Sequence, residues 1–116
     1  MANTREVGNR GEDWAAEWLQ GQGYEIWFRN YRYGRAEIDI IARKDKLVVF
    51  VEVKTRSNLS FGDPEIAVNR GKIGHIKKAA EHFIHTTDWQ HDVRFDVIAI
   101  SLGEDREIRH IEDAFY

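Results

Sequence analysis

The segment 47–53, Leu-Val-Val-Phe-Val-Glu-Val, constrains the fold of this chain more than any other. Alternate residues of a strand point to opposite faces, and both faces are apolar here: Val49 and Val51 lie on one, Val48 and Phe50 on the other. Such a strand is typical of a sheet with helices packed on both sides. The sequence therefore predicts a central strand that is covered on both faces.

A second apolar strand precedes this one, and the polar turn Lys44-Asp45-Lys46 joins the two into a predicted hairpin. The turn could hold two to four residues, so the strand register stays open. Apolar periodicity and turn residues predict the other elements. The full prediction is a helix over 4–22, strands over 24–33, 36–43 and 47–54, a helix that Asn69 caps and that runs to about 86, and strands over 93–100 and 107–111. The order α-β-β-β-α-β-β predicts a mixed α/β sheet flanked by helices, in a single domain spanning residues 1–116.

Composition excludes several kinds of functional site. There is no cysteine, so disulfides, thiolate metal sites and thiol nucleophiles are excluded. The five histidines show no metal-ligand spacing, and no glycine-rich phosphate loop or serine nucleophile motif is present. No apolar run approaches a membrane span, and the N-terminal residues lack the pattern of a signal peptide. We therefore expect a cytoplasmic protein with no membrane partner and no small-molecule cofactor.

Four charged residues interrupt the two apolar strands: Glu37, Asp39, Glu52 and Lys54. Burying an unpaired charge is costly, so charges in such strands need a reason. Strand periodicity places Glu52 and Lys54 on one face, and a hairpin can bring Asp39 to the same face. Two carboxylates and a lysine at one place are typical of a divalent-metal phosphodiesterase site. Glu37, two residues upstream of Asp39, is interpreted as a supporting or surface group.

Such a site would bind Mg²⁺, which prefers oxygen ligands. Asp39 and Glu52 are the predicted ligands, with the main-chain carbonyl of Val53 as a third, and Lys54 could orient the attacking water or stabilise the developing charge. Glu12 of the first helix is a further candidate carboxylate, although an ordinary solvated glutamate would fit its position as well. On the residues alone, the Glu-x-Lys pattern is also compatible with a cross-strand ion pair.

Gly8 and Gly11 lie one turn apart in the first predicted helix. Glycine within a helix costs about 1 kcal/mol relative to alanine. A close approach of the helix backbone to the sheet would explain why glycine stands there.

The formal net charge of −3 argues mildly against nucleic-acid binding, but the charges are segregated. Residues 29–56 and 70–78 each carry net +4, whereas residues 79–116 carry net −6. A locally basic surface attracts phosphates whatever the total charge. Ordinary solvated surface would give the same pattern. The candidate phosphate contacts are Arg29, Arg32, Arg35, Arg56, Arg70, Lys72, Lys77 and Lys78.

A series of short motifs runs through nearly the whole chain. They are Gly8-x-x-Gly11-Glu12, Asn30-Tyr31-Arg32, Glu37-Ile38-Asp39-Ile40-Ile41, Val49-Phe50-Val51-Glu52-Val53-Lys54-Thr55-Arg56, Arg94-Phe95-Asp96-Val97 and Ile108-x-His110-Ile111-x-x-Ala114-Phe115. Together they closely resemble the YraN-type family of small bacterial proteins. That family belongs to the PD-(D/E)XK nuclease superfamily and is similar to the archaeal Holliday-junction resolvases.

The resemblance implies a restriction-endonuclease-like fold and a homodimeric, metal-dependent endonuclease that hydrolyses DNA. The implied substrate is branched, four-way-junction or duplex DNA, and the implied cofactor is Mg²⁺ or Mn²⁺. Ala36 stands where the family usually has glycine, and Ile38 stands where the superfamily has proline; neither is a ligand position. The residues to which the resemblance gives catalytic roles are Glu12, Asp39, Glu52 and Lys54.

Two other function classes are compatible with the same sequence. A non-catalytic nucleic-acid-binding module that retains the nuclease fold would bind in a salt-dependent way, and its binding would survive loss of Glu52 and Lys54. A structural or protein-interaction domain could use the four tryptophans and the acidic C-terminal third. It would bind neither metal nor nucleic acid.

Overall fold

The computed structural model describes residues 4–56, 70–103 and 106–115. Within these ranges the chain forms two helices and five strands in the predicted order α-β-β-β-α-β-β. Their bounds are Thr4–Gly21 (α1), Glu25–Tyr33 (β1), Ala36–Lys44 (β2), Leu47–Arg56 (β3), Arg70–Thr87 (α2), Asp92–Ser101 (β4) and Glu107–Ile111 (β5). Each predicted helix and strand is confirmed, with ends that differ by no more than about two residues.

The five strands form one sheet in the spatial order β1-β2-β3-β4-β5. Strands β1, β2 and β3 are antiparallel neighbours, β3 and β4 are parallel, and β4 and β5 are antiparallel. A parallel pair needs a long crossover connection, and α2 lies in the connection between β3 and β4. The predicted mixed sheet is therefore confirmed.

Each face of the sheet carries its own hydrophobic core. Val49 and Val51 of β3 pack with Leu19 of α1 on one face. Phe50 of β3 packs with Phe83 of α2 on the other face, with ring centroids 5.7 Å apart. These side chains are at most 1% exposed, and burying each contributes roughly 1.5–3 kcal/mol. The two-sided burial predicted from the apolar strand is confirmed.

The turn between β2 and β3 contains two residues, Asp45 and Lys46. Lys44 pairs with Leu47 and Ala42 with Val49, which fixes the register that the sequence left open. Asp45 has a φ of 55°, a left-handed conformation that aspartate tolerates better than most residues. This register determines which residues of the two strands come together at the far end of the hairpin.

Gly11 brings the backbone of α1 directly against β3. A Cβ atom at this position would lie 2.0 Å from the Oγ1 atom of Thr55. The helix can therefore approach the sheet only because residue 11 has no side chain, which confirms the predicted reason for glycine here.

Neither α1 nor α2, the helices formed by the described residues, is long and apolar enough to cross a membrane.

Candidate metal centre

Strands β2 and β3 separate at Asp39. The last backbone pair between them joins Ile40 and Val51. One step further, the backbone N–H of Val53 donates a hydrogen bond to Oδ2 of Asp39 at 2.7 Å. A carboxylate therefore takes the position that a main-chain acceptor of β2 would occupy in a regular ladder.

The β2 strand also changes faces at this point. Ile38 belongs to the core under α2, whereas Ile40 belongs to the core under α1 and Ile41 to the core under α2. In a regular strand, Ile38 and Ile40 would share a face. The irregularity at Asp39 turns its carboxylate toward β3 within the opening between the strands.

The main-chain carbonyl of Val53 faces the same opening. Residues in a hydrogen-bonded antiparallel pair exchange both bonds, so the N–H and C=O groups of one residue point to the same side of its strand. The N–H of Val53 points toward β2, since it reaches Asp39. Its C=O group therefore also points toward β2, where the regular ladder has ended.

Glu52 is the second carboxylate at this opening, and its side chain is only 4% exposed. The Nζ atom of Lys72 in α2 lies 2.6 Å from Oε2 of Glu52. This contact is an ion pair, but Oε2 has no partner with hydrogen-bond geometry in the described part of the chain. The oxygen is therefore compensated in charge and still lacks an aligned donor.

The electrostatics of Asp39 show that the two carboxylates interact. Burial, followed by the hydrogen bond and the negative charge of Glu52, raises the pKa of Asp39 far above its usual range. The N–H of Val53 opposes the shift, and the charge of Glu12 adds to it. Two neighbouring carboxylates repel each other when both are ionised. A proton on Asp39 relieves that repulsion, and a bound divalent cation would relieve it as well.

Glu12 approaches this region from α1. Its side chain is 13% exposed, and its Oε1 atom accepts hydrogen bonds from Arg29 Nη2 at 3.2 Å and Nε at 3.3 Å. Burial raises the pKa of Glu12, and the guanidinium of Arg29 opposes that rise. Glu12 is therefore no ordinary solvated glutamate, since its charge also acts on Asp39.

Lys54 and Glu37 complete the charges predicted on the hairpin. Lys54 is half-buried on β3 opposite Ala99 of β4, on the strand face that it shares with Glu52. Glu37 forms an ion pair with Arg32 at 2.9 Å, which is compatible with its interpretation as a supporting or surface group.

Side chains supply only part of the ligand set that a hard divalent cation would need here. Among the described residues, no three His, Asp or Glu side chains converge closely enough to form a metal site by themselves. Asp39 and Glu52 supply two carboxylates, and the carbonyl of Val53 faces the same opening. Mg²⁺ is commonly bound through one or two carboxylates while it keeps several waters. The oxygen-only chemistry of the opening therefore suits Mg²⁺ or Mn²⁺.

A family model described as "Uncharacterised protein family UPF0102" matches residues 11–100, a range that includes all four predicted catalytic residues. The chain belongs to this family. A UPF0102 protein of Flavobacterium psychrophilum is 43% identical over 117 residues, covering 100% of this chain and 98% of the relative. The UPF0102 protein of Caldicellulosiruptor bescii is 48% identical over 118 residues, covering 97% and 99%. The predicted YraN-type membership is thus confirmed at the level of the family.

Several of the basic residues of this UPF0102 protein form ion pairs within the chain. Arg29 pairs with Glu12 and Asp13, Arg32 pairs with Glu37, and Lys72 pairs with Glu52. Three of the eight candidate phosphate contacts are therefore held in ion pairs within the chain. These three and the four further candidates Arg35, Arg70, Lys77 and Lys78 are all exposed. The side chain of Arg56 lies outside the described residues.

Sequence reasoning missed the direct contact between Lys72 and Glu52. Lys72 was expected to bind phosphate because it lies in a basic segment, yet its nearest charge is a buried carboxylate. The signal was its position in the first turn of α2, where a cation opposes the helix dipole.

A second buried polar cluster of this family member was also missed. Asp96 of β4 is fully buried and accepts hydrogen bonds from the guanidinium of Arg94 at 2.8 Å and from the backbone N–H of Asp113 at 3.0 Å. The ring of His110 in β5 lies 2.6 Å from Oδ2 of Asp96. Because its oxygens are all satisfied, this cluster ties β5 and the C-terminal residues to β4 and leaves no ligand for a metal.

Proposed function

We propose that this UPF0102 protein is a metal-dependent endonuclease of the PD-(D/E)XK superfamily that hydrolyses phosphodiester bonds of DNA. One observation carries the proposal: Asp39 and Glu52 are brought together where β2 and β3 separate, beside the carbonyl of Val53. A buried carboxylate whose pKa is raised by a neighbouring carboxylate, at an irregularity in a sheet, is typical of a functional site.

Mg²⁺ or Mn²⁺ would be held by Asp39, Glu52 and the Val53 carbonyl. When bound, such an ion supplies an activated water and neutralises charge that develops on the phosphate. Lys54 would orient that water or stabilise the developing negative charge, because it follows Glu52 on the same strand face. Glu12 would act as a nearby carboxylate that Arg29 holds in place.

The exposed arginines and lysines would contact the DNA backbone. Arg35 follows β1, and Arg70, Lys77 and Lys78 lie on α2. Phosphate contacts position nucleic acid without reading its sequence, so we propose selection by DNA shape. The resemblance to junction resolvases points to branched DNA and to a homodimer with one site for each cleaved strand.

A second candidate function is a non-catalytic DNA-binding module. It is favoured by the ion pair between Lys72 and Glu52, which neutralises a predicted metal ligand without any metal. In this case DNA binding would depend on salt and would not change when Asp39 and Glu52 are replaced.

The deciding experiment is a cleavage assay with Mg²⁺ or Mn²⁺ on four-way-junction, flap, duplex and single-stranded DNA. We expect wild type to cut a branched substrate, and Asp39→Asn to lower the rate at least about 100-fold, since loss of an electrostatic catalytic group typically costs about 10²–10³. Glu81→Gln, which replaces an exposed carboxylate of α2, is the matched control and should retain activity. Equal cutting by wild type and Asp39→Asn would reject the proposed site. Salt-dependent binding without cutting would favour the second candidate.

A further inference from the structure

We propose that Lys72 is a built-in counter-cation of the Asp39–Glu52 pair and competes with the divalent ion for Glu52. The inference rests on the proposed metal site and describes how binding at that site is regulated. The ammonium group of Lys72 lies 2.6 Å from Oε2 of Glu52. In the ion-free protein it neutralises a carboxylate that is otherwise almost completely buried.

The placement of Lys72 suits a group that can leave. Its side chain is 45% exposed, whereas that of Glu52 is 4% exposed, so the lysine reaches in from the surface. Lysine carries its charge on a flexible four-carbon stem and can return the ammonium group to water. Glu52, by contrast, is fixed in the central strand β3. The lysine is therefore the partner that moves.

The position of Lys72 in α2 gives an electrostatic reason for its contact with Glu52. Lys72 lies in the first turn of α2, and that turn contains no acidic residue. A cation at a helix N-terminus is disfavoured by the helix dipole. The contact with Glu52 offsets this disadvantage.

Simultaneous occupation by lysine and metal is unfavourable. A ligand oxygen lies about 2.0–2.1 Å from Mg²⁺. An ammonium group 2.6 Å from the same oxygen would place two cations against each other in a buried environment. An ion bound through Oε2 therefore requires Lys72 to withdraw, and this couples the site to the beginning of α2.

The test is Mn²⁺ binding by isothermal titration calorimetry with Lys72→Met. We expect this variant to bind Mn²⁺ about tenfold more tightly than wild type, because the divalent ion no longer has to displace an ammonium group from a buried carboxylate. Lys72→Arg keeps the charge and should bind like wild type. Lys46→Met removes an exposed lysine from the distant hairpin turn and is the control for net charge; it should bind within about twofold of wild type.

A thermal readout without catalysis accompanies the titration. In EDTA, Lys72→Met should melt below wild type, because Glu52 has lost its counter-cation, and saturating Mn²⁺ should close this gap. A folded Lys72→Met protein that binds Mn²⁺ no more tightly than wild type would overturn the inference while leaving the metal site in place. If wild type, Lys72→Met and Glu52→Gln all fail to bind Mn²⁺, the proposed metal site itself is rejected. Lys72→Gln provides the same comparison if the methionine variant does not fold.

Discussion

Replacing Gly11 with alanine tests the packing that holds α1 against the central strand. The added Cβ atom would lie 2.0, 2.5 and 2.8 Å from the Oγ1, Cγ2 and Cβ atoms of Thr55. Rotation of the threonine side chain cannot remove the contact with its Cβ, so the helix or the strand must shift. Overpacking costs about 1–3 kcal/mol, and alanine gains about 1 kcal/mol over glycine in a helix. Because three atoms clash, we expect a net loss of about 2 kcal/mol.

Urea denaturation of the Gly11→Ala variant measures this loss, and a double-mutant cycle assigns it to one contact. Thr55→Ala removes the two closest atoms, so Gly11→Ala should cost at least about 1 kcal/mol less in that background. Gly74→Ala in α2 is the matched control. An added Cβ there meets nothing within 4 Å, and the variant should gain about 0.5–1 kcal/mol. A Gly11→Ala protein that is stabilised like Gly74→Ala would refute the close approach of α1 to β3.

Two further predictions concern pH. Arg94 and His110 hold the pKa of Asp96 below its usual value despite burial. The ionised Asp96 therefore stabilises the folded protein above the ordinary aspartate pKa, and this stabilisation is lost as the pH falls through the lowered pKa. Asp96→Asn should therefore cost about 3 kcal/mol at pH 7 in urea denaturation, with a smaller difference at pH 3; a constant difference would contradict this. Burial and Glu52 raise the pKa of Asp39. The protonated Asp39 therefore contributes stability that is fully present below the ordinary aspartate pKa and is lost as the pH rises through the raised pKa. In EDTA, the melting temperature of Asp39→Asn should rise relative to wild type between pH 5 and about 9; parallel melting curves would count against the coupled carboxylates.

The sequence was sufficient to predict the fold because its strongest signals are local. The two-sided apolar run of β3 predicted helices on both faces, and Val51 and Phe50 do pack under different helices. Glycine at position 11 predicted a close helix–sheet contact, which Thr55 provides. These patterns depend on residues that are neighbours in sequence and on the periods of helix and strand.

The candidate site was harder to predict because it depends on register and on long-range contacts. Strand parity could bring Asp39 near Glu52, but the turn length that aligns them was open until the pairing of Lys44 with Leu47 was known. The contact of Lys72 with Glu52 joins residues twenty positions apart in sequence, on separate elements. Lys72 was therefore assigned to DNA binding, because the sequence shows which residues are basic but does not show which residues they contact.

The buried cluster around Asp96 illustrates the same limit. His110 is not part of any metal-ligand spacing in the sequence. Its partner Asp96 lies on another strand, fourteen residues earlier. Only the pairing of β4 with β5 brings the two together. A charged residue within an apolar strand does predict a buried partner, but it does not identify that partner.

The most direct test of the proposed metal centre is a crystal of the wild-type protein soaked in Mn²⁺ and measured at the manganese absorption edge. We expect an anomalous peak between the carboxylates of Asp39 and Glu52 and within ligand distance of the Val53 carbonyl, with Lys72 withdrawn from Glu52. The same soak of Asp39→Asn crystals should give a much weaker peak or none. A wild-type map in which Lys72 still contacts Glu52 and no manganese lies at this opening would contradict the proposal.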